Sequence, residues 1–293
     1  MANYKCKMCG GALDVCEGQR IIKCDFCGTT QTVPVFDDEK KQSYYNRANS
    51  LRLKNEFDKA AGFYELIVSE FPKEAEAYWG LILCKFGIEY VEDKNHIRIP
   101  TCHRTQYISI FDDSDYLSAI KYADVLSKDV YENEAKEIDA IQKQILRISY
   151  TESPFDIFIC YKELDENGDR TEDSVIATDI YNSLTEKGYR VFFSRITLES
   201  KLGTNYEPYI FSALHSSKVL LHVTTSLKHT NSVWVKNEWS RYVKLMGDGK
   251  VIIPCYKGIK PSDLPSEIKN FQGQDFSKIG AMQDLLHGID KIL

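Results

Sequence analysis

Four cysteines near the start of the chain have the spacing of a metal site. Cys6 and Cys9 form one C-x-x-C pair, and Cys24 and Cys27 form a second. Four thiolates satisfy tetrahedral Zn²⁺, and two such pairs are typical of a zinc ribbon. An all-cysteine site has no open coordination position, so we expect the zinc to be structural. A redox C-x-x-C is the alternative, but it does not explain two pairs.

The residues around these cysteines indicate how the ribbon is built. Gly10 and Gly28 each follow a pair, and a tight turn there would point backbone amides at thiolate sulfur. Residues 1–36 are too few to fold on apolar content alone, so metal would supply folding energy. We predict a β-hairpin around Gly18, formed by the apolar residues Leu13, Val15, Ile21 and Ile22.

A second pair of residues, in the last third of the chain, could serve a different chemistry. Trp234 and Glu238 lie in a stretch predicted to be a helix, with Ser232 as its N-cap. They are four apart, so they share one helical face. An aromatic side chain beside a carboxylate, near the start of a helix that follows a strand, suits a ligand site. Taken alone, W-x-x-x-E occurs often by chance and fits an exposed Glu beside a partly buried Trp.

The composition limits the classes of function. A chain of 293 residues predicts about two domains, and 43% hydrophobic content allows real cores. The net charge of -6 argues against a nucleic-acid-binding surface. No run approaches the ~18 apolar residues of a membrane span, and the first residues carry no apolar signal segment. The nine cysteines then indicate a reducing cytoplasm and a metal site.

Residues 37–150 are predicted to be helical and to carry no chemistry. We expect a charged linker at 37–41 and a turn at Asn55. Helices are predicted at 44–53, 57–71, 74–86, 116–123 and 131–148. The two helices after Asn55 resemble tetratricopeptide-type hairpins, although only about one and a half units are visible where ~3 stand alone. Residues 91–111 are predicted to be irregular.

Five of the six histidines are predicted to have no metal-site role, because their spacing fits no common site. Two of them, with a cysteine, lie in the irregular stretch 91–111, and three lie between 215 and 229. Ordinary hydrogen bonds or packing are the expected role for all of them: His96, Cys102, His103, His215, His222 and His229.

Residues 151–293 alternate between predicted strands and helices. The strands are expected at 154–161, 189–193, 219–223, 251–255 and 271–276. Such alternation predicts a parallel sheet covered on both faces, with ligands bound beyond the carboxyl ends of the strands. Tyr161 and Thr224 fall at strand ends, and Trp234 and Glu238 can reach the same crevice.

Several motifs in residues 153–293 resemble those of one family, in the same order. They are Phe155 to Tyr161, Gly188 to Phe193, Ser194 to Gly203, and Trp234 with Glu238. These resemble box 1, the second strand, the mobile BB loop and the W-x-x-x-E motif of Toll/interleukin-1 receptor (TIR) domains. The layout is similar to bacterial TIR proteins linked to anti-phage defence. The resemblance implies a flavodoxin-like, parallel five-stranded sheet (151–293), preceded by a zinc ribbon (1–36) and a helical region (37–150).

The resemblance also implies an activity, which is cleavage of the nicotinamide–ribose bond of NAD⁺. Glu238 would be catalytic, stabilising a ribosyl cation after a leaving group that needs no acid. Trp234 or Tyr161 would stack on a ring of the nucleotide, and Lys162 and Arg195 would meet phosphates or remain solvated charges. The product, ADP-ribose or a cyclic isomer, stays open. Hydride transfer is disfavoured because G-x-G-x-x-G is absent.

Assembly is the other implied property. In the family the BB loop of one TIR domain completes the site of the next, so we expect a homo-oligomer or filament, together with an unidentified trigger or protein partner. Cys160 replaces the family's usual Ser, Ser194 replaces a frequent Asp, and the loop lacks Pro-Gly. These departures count more against receptor-adaptor signalling than against NAD⁺ cleavage. A non-catalytic TIR scaffold is the alternative. A nucleic-acid sensor acting through the ribbon is a third, disfavoured by the acidic charge.

Overall fold

The computed structural model describes residues 2–16, 18–35, 37–92, 98–199, 206–247 and 249–293. The chain divides into two compact units, Met1–Arg147 and Ile148–Leu293. Within the described ranges, no helix has the length and apolar character that crossing a membrane requires.

Two small antiparallel hairpins form the N-terminal part of the first unit. The first pairs β1 (Ala2–Lys5) with β2 (Ala12–Val15), and the second pairs β3 (Ile21–Lys23) with β4 (Thr30–Thr32). Each hairpin reverses direction at one C-x-x-C pair. The predicted hairpin around Gly18 is therefore wrong, since Gly18 lies in the connection between the two hairpins.

The rest of the first unit is largely helical, as predicted. Its helices are α1 (Glu39–Arg52), α2 (Phe57–Glu70), α3 (Ala75–Lys85), α4 (Ser114–Tyr122) and α5 (Val125–Ser149). The turn at Asn55 is confirmed by its left-handed φ of 58°. The charged linker is wrong, because Asp38 caps α1 by accepting a hydrogen bond from the Lys41 amide at 2.8 Å.

Part of the stretch predicted to be irregular forms a hairpin. β5 (Ile88–Glu92) pairs antiparallel with β6 (Arg98–Cys102). The missed signal is alternation within the strand, because Ile88 and Tyr90 are buried and Glu89 and Val91 are not. His103 has an ordinary polar partner, with its Nε2 at 2.7 Å from the Glu89 carboxylate. His96 lies outside the described residues.

The second unit alternates strands and helices, which confirms the predicted fold class. In chain order it contains β7 (Ile157–Tyr161), α6 (Glu172–Glu186), β8 (Val191–Phe193), α7 (Ser194–Thr197), α8 (Glu207–Ser216), β9 (Val219–Thr224), α9 (Leu227–Thr230), α10 (Val233–Lys244), β10 (Val251–Tyr256), β11 (Gln274–Asp275) and α11 (Ala281–Ile289). The five strands run parallel in the order β11-β10-β9-β7-β8. The strand order reverses between β7 and β9, the place where such sheets bind ligands.

An apolar core covers each face of this sheet. One face packs against α8 and α10, with Trp239 and Tyr242 buried among residues that include Cys160. The other packs against α6 and α11 and includes Tyr161. Adjacent strand residues point to opposite faces, so Cys160 and Tyr161 belong to different cores. This alternation decides which side chains can meet at the sheet edge.

Candidate functional site

The four N-terminal cysteines come together as their spacing predicts. Their sulfur atoms all lie within 4.8 Å of one another. The Cys6–Cys27 and Cys9–Cys24 sulfur pairs are 3.8 Å and 3.7 Å apart. A tetrahedral zinc site with Zn–S bonds of about 2.3 Å separates neighbouring sulfurs by about 3.8 Å. These residues could therefore hold a metal ion of that kind.

The two C-x-x-C turns have matching backbone geometry. The Gly10 amide donates to the Cys6 carbonyl at 2.9 Å, and the Gly28 amide donates to the Cys24 carbonyl at 2.8 Å. Both glycines have positive φ, 78° and 69°, a conformation that only glycine adopts without strain. Amides also point at sulfur, as expected, with the Gly11 amide 3.4 Å from Cys9 Sγ.

The residues between the ligands connect the metal site to the helices of the same unit. Lys7 lies inside the first C-x-x-C pair, but its side chain is buried and its Nζ is 2.8 Å from Glu76 Oε1 on α3. Gln31 accepts from the Lys7 amide at 3.0 Å and donates to Cys6 Sγ at 2.9 Å. Tyr131 on α5 donates to the same Glu76 carboxylate at 2.7 Å. The ribbon therefore shares a buried polar network with the helical core.

Glu238 lies on α10, where its carboxyl interacts with the thiol of Cys160, the next-to-last residue of β7. The Glu238 side chain is half-buried, and burial raises its pKa to about 7. The Cys160 thiol and the Arg241 guanidinium oppose that rise in pKa, and the charge of Glu207 adds to it. Arg241 is itself held by Glu207, with Nη2 at 3.1 Å from Oε1. A carboxyl in this setting can exchange a proton near neutral pH.

Trp234 precedes Glu238 by one turn of α10, and its side chain is 42% exposed. Ser232 occupies the predicted N-cap position, but its hydroxyl makes no capping hydrogen bond. The start of the helix is fixed instead by Trp239, whose indole nitrogen donates to the Thr230 carbonyl at 3.1 Å. The indole of Trp234 is thus partly available at the rim, while Trp239 is buried.

The other predicted contact residues lie on the α6 face of the sheet. The Tyr161 ring stacks on Phe193 with centroids 5.0 Å apart, and its hydroxyl accepts from Ser194 Oγ at 3.3 Å. Burial raises the pKa of Tyr161 to about 12. Arg195 donates to Thr178 Oγ1 at 3.2 Å and lies over the Phe193 ring.

Lys162 lies half-buried in the loop that follows β7, where its carbonyl accepts from the Thr171 hydroxyl. The predicted long loop at 194–205 begins with the helical turn α7, and residues 200–205 lie outside the described residues.

The predicted site residues form two groups. Trp234 and Glu238 share the α10 side, and Tyr161 and Arg195 share the α6 side.

Sequence reasoning missed a polar cluster at the same edge. Asp173, in the first turn of α6, is fully buried. Its carboxylate accepts from Thr225 and lies 2.9 Å from His229 Nδ1. Spacing to other metal ligands could not reveal that His229 pairs with Asp173. The sequence does indicate the pairing in another way, because Asp173 lies at the start of the helix after β7 and His229 follows the neighbouring strand.

Comparison with known families agrees with this geometry. The family model described as TIR domain matches residues 157–292. No curated protein matches the chain. The matched range begins with the first residue of β7, contains all five strands of the parallel sheet and extends past the end of α11. Residues 157–292 are a TIR domain.

Proposed function

We propose that this protein is an NAD⁺ glycohydrolase or cyclase that breaks the nicotinamide–ribose bond and releases nicotinamide with ADP-ribose or a cyclic isomer. One observation carries the proposal. The Glu238 carboxyl lies half-buried on α10, one helical turn from Trp234, and interacts with the thiol of Cys160, the next-to-last residue of β7. β7 and its neighbour β9 are the strands between which the order reverses. Residues 157–292 are a TIR domain, and Glu238 matches the position of the catalytic Glu in the W-x-x-x-E motif of NAD⁺-cleaving TIR domains.

The chemistry needs one anionic group and a site for the nucleotide. Nicotinamide leaves NAD⁺ as a neutral molecule, so no general acid is required. Positive charge develops on the ribose, and a fixed carboxylate stabilises it and can accept hydrogen bonds from ribose hydroxyls. Glu238 has that role in the proposal, in its ionised form. Arg241 lowers the pKa of Glu238 and so favours that form.

The exposed Trp234 indole is the proposed stacking surface for a ring of the substrate. Tyr161 is 6% exposed and already stacks on Phe193, so in the proposal it offers the substrate its hydroxyl rather than its ring face. Arg195 and Lys162 are the proposed phosphate contacts. Arg195 is the better placed of the two because its guanidinium has further donors beyond the one directed at Thr178.

The proposal extends to the rest of the chain. Zn²⁺ would be bound by Cys6, Cys9, Cys24 and Cys27 as a structural ion without a step in catalysis. The TIR domains would self-associate in the cytoplasm into an oligomer or filament in response to a trigger, in bacterial anti-phage defence or signalling.

A non-catalytic TIR scaffold is the second candidate. Exposed apolar side chains favour it, because Val175 on α6 is 56% exposed and Ile279 before α11 is fully exposed. Such residues are suited to contacts between domains. The scaffold and the enzyme differ in whether NAD⁺ is consumed.

The deciding experiment incubates the full chain with NAD⁺ over a range of protein concentrations and separates the products by chromatography. Glu238→Gln keeps the shape of the side chain and removes its charge. Cleavage should fall by about 10²–10³, the usual effect of losing one such electrostatic contact. Glu186→Gln, at the exposed end of α6, is the matched control and should cleave normally.

Two outcomes would contradict the proposal in different ways. If Glu238→Gln cleaves as fast as the wild type, the site is misassigned. If the wild type leaves NAD⁺ intact even at the highest concentration, the scaffold function replaces the enzyme.

A further inference from the structure

An aspartate–histidine pair bridges the two strands on either side of the order reversal. Asp173 follows β7 at the start of α6, and His229 follows β9 in α9. β7 and β9 are hydrogen-bonded neighbours, with Tyr161 opposite Val223. The carboxyl ends of the two strands therefore bring the buried carboxylate and the imidazole together, with Nδ1 at 2.9 Å from Asp173 Oδ2.

The hydrogen bonds fix the orientation of the imidazole. Asp173 Oδ1 accepts from the Thr225 amide at 2.7 Å and from its hydroxyl at 2.6 Å. Oδ2 then serves His229. An ionised carboxylate can only accept, so Nδ1 is the donor to Asp173, and a ring that is neutral in this orientation has its lone pair on Nε2. In the described part of the chain Nε2 makes no hydrogen bond, and the side chain is 21% exposed.

The pair lies at the same edge of the sheet as the start of α10. His229 lies in α9, which directly precedes α10, and the Trp239 indole nitrogen of α10 donates to the Thr230 carbonyl of α9 at 3.1 Å. Glu238 is the residue before Trp239 on α10. His229 therefore offers an oriented base at the edge where Glu238 would hold the ribose.

We propose that His229, oriented by Asp173, is the general base for the water that captures the ribosyl group. This inference rests on the proposed function. The C1′–N bond breaks with its electron pair passing to nicotinamide, and the water oxygen forms a bond to C1′. The proton of that water moves to His229 Nε2 and then to solvent. The products are nicotinamide, ADP-ribose and one proton.

If His229 only held the loop in place, His229→Gln would have little effect on hydrolysis. Thr225 alone could satisfy Asp173 Oδ1, and any donor could satisfy Oδ2. In His229→Gln the side-chain amide can still donate to Asp173, but an amide is not a base at neutral pH. His229→Gln therefore removes the base and keeps the means of holding the loop.

The test compares two acceptors for the ribosyl group. Water must lose a proton when it attacks, whereas 3-acetylpyridine has none to lose and forms the exchanged dinucleotide directly. His229→Gln should slow ADP-ribose formation by about 10² or more, the usual contribution of a general base. Exchange with 3-acetylpyridine should stay within a few-fold of the wild type. His287→Gln, exposed on α11, is the control and should alter neither reaction.

Exchange also reports whether the variant is folded, so each result has one meaning. An equal fall in hydrolysis and exchange would show that His229 only supports the site. Unchanged hydrolysis would show that it has no part in the reaction. A wild type that releases no nicotinamide with either acceptor would remove the proposed function itself, and this inference with it.

Discussion

The buried ammonium of Lys7 allows a quantitative test of how the ribbon and the helices are joined. Lys7→Met keeps an unbranched side chain, one atom shorter, and removes its charge. The Lys7 and Glu76 side chains are only 2% and 6% exposed, so the substitution would leave a carboxylate unpaired in the core. Removing one partner of a buried pair costs about 3–5 kcal/mol. Tyr131 and Thr32 still donate to Glu76, which places the expected loss at about 3 kcal/mol.

Hydrogen exchange resolved by segment is the suitable assay, because it separates the two units. A loss of ~3 kcal/mol corresponds to about 10² faster exchange where opening limits the rate. That acceleration should appear in α3 and should be absent from β9. Lys40→Met is the matched control. Lys40 pairs with Glu70 at the surface and is 57% exposed, so its loss should have little effect.

Adding Glu76→Gln to Lys7→Met removes the unpaired charge and should recover part of the lost protection. Equal exchange in the Lys7→Met and Lys40→Met variants would refute the reasoning, because burial would then have no influence on the strength of the pair.

Two further outcomes follow from the site geometry. Protein purified without chelator should contain one zinc per chain, and absence of zinc from the wild type would contradict this. Cys24→Ser should lose the zinc. It should also accelerate hydrogen exchange in α3, since Lys7 lies between two of the ligands. The second concerns pH. If ionised Glu238 is required, kcat/KM for NAD⁺ should rise as pH passes through about 7. Glu207→Gln removes a charge that raises this pKa and should move the rise to lower pH, whereas an unmoved profile would contradict the assignment.

The metal cluster was predictable because its requirements are local. Two C-x-x-C pairs specify four sulfurs, and each turn forms within a few residues. The hairpins were mispredicted for a related reason. The Cys6 amide donates to the Gly11 carbonyl at 2.8 Å, and the Cys24 amide donates to the Thr29 carbonyl at 3.0 Å. These bonds make each metal turn a hairpin turn, so each strand pairs across its own cysteines.

Charged residues in the first unit were misjudged because their partners are distant in sequence. The run at 37–41 is predicted to be a charged linker, but the Lys41 side chain is 2% exposed. Its ammonium lies 3.0 Å from Glu74, 33 residues away. Neither spacing nor composition shows that a lysine will find a buried carboxylate. The helices themselves were predictable, because apolar periodicity is a local signal.

The division of the site residues has a single geometric origin. The sequence predicts that Tyr161 and Glu238 meet at the carboxyl edge of the parallel sheet. In the structure they fall into separate groups, one on the α6 side of the sheet and one on the α10 side. The prediction did not use the alternation of side chains along β7, which sends Cys160 toward α10 and Tyr161 toward α6. A ligand bound across the ends of β7 and β9 would therefore meet chemistry from both sides. In the proposed reaction Glu238 acts from the α10 side on the developing cation. His229 and Asp173 act from the other side on the incoming water, so loss of Glu238 and loss of His229 should produce different product patterns.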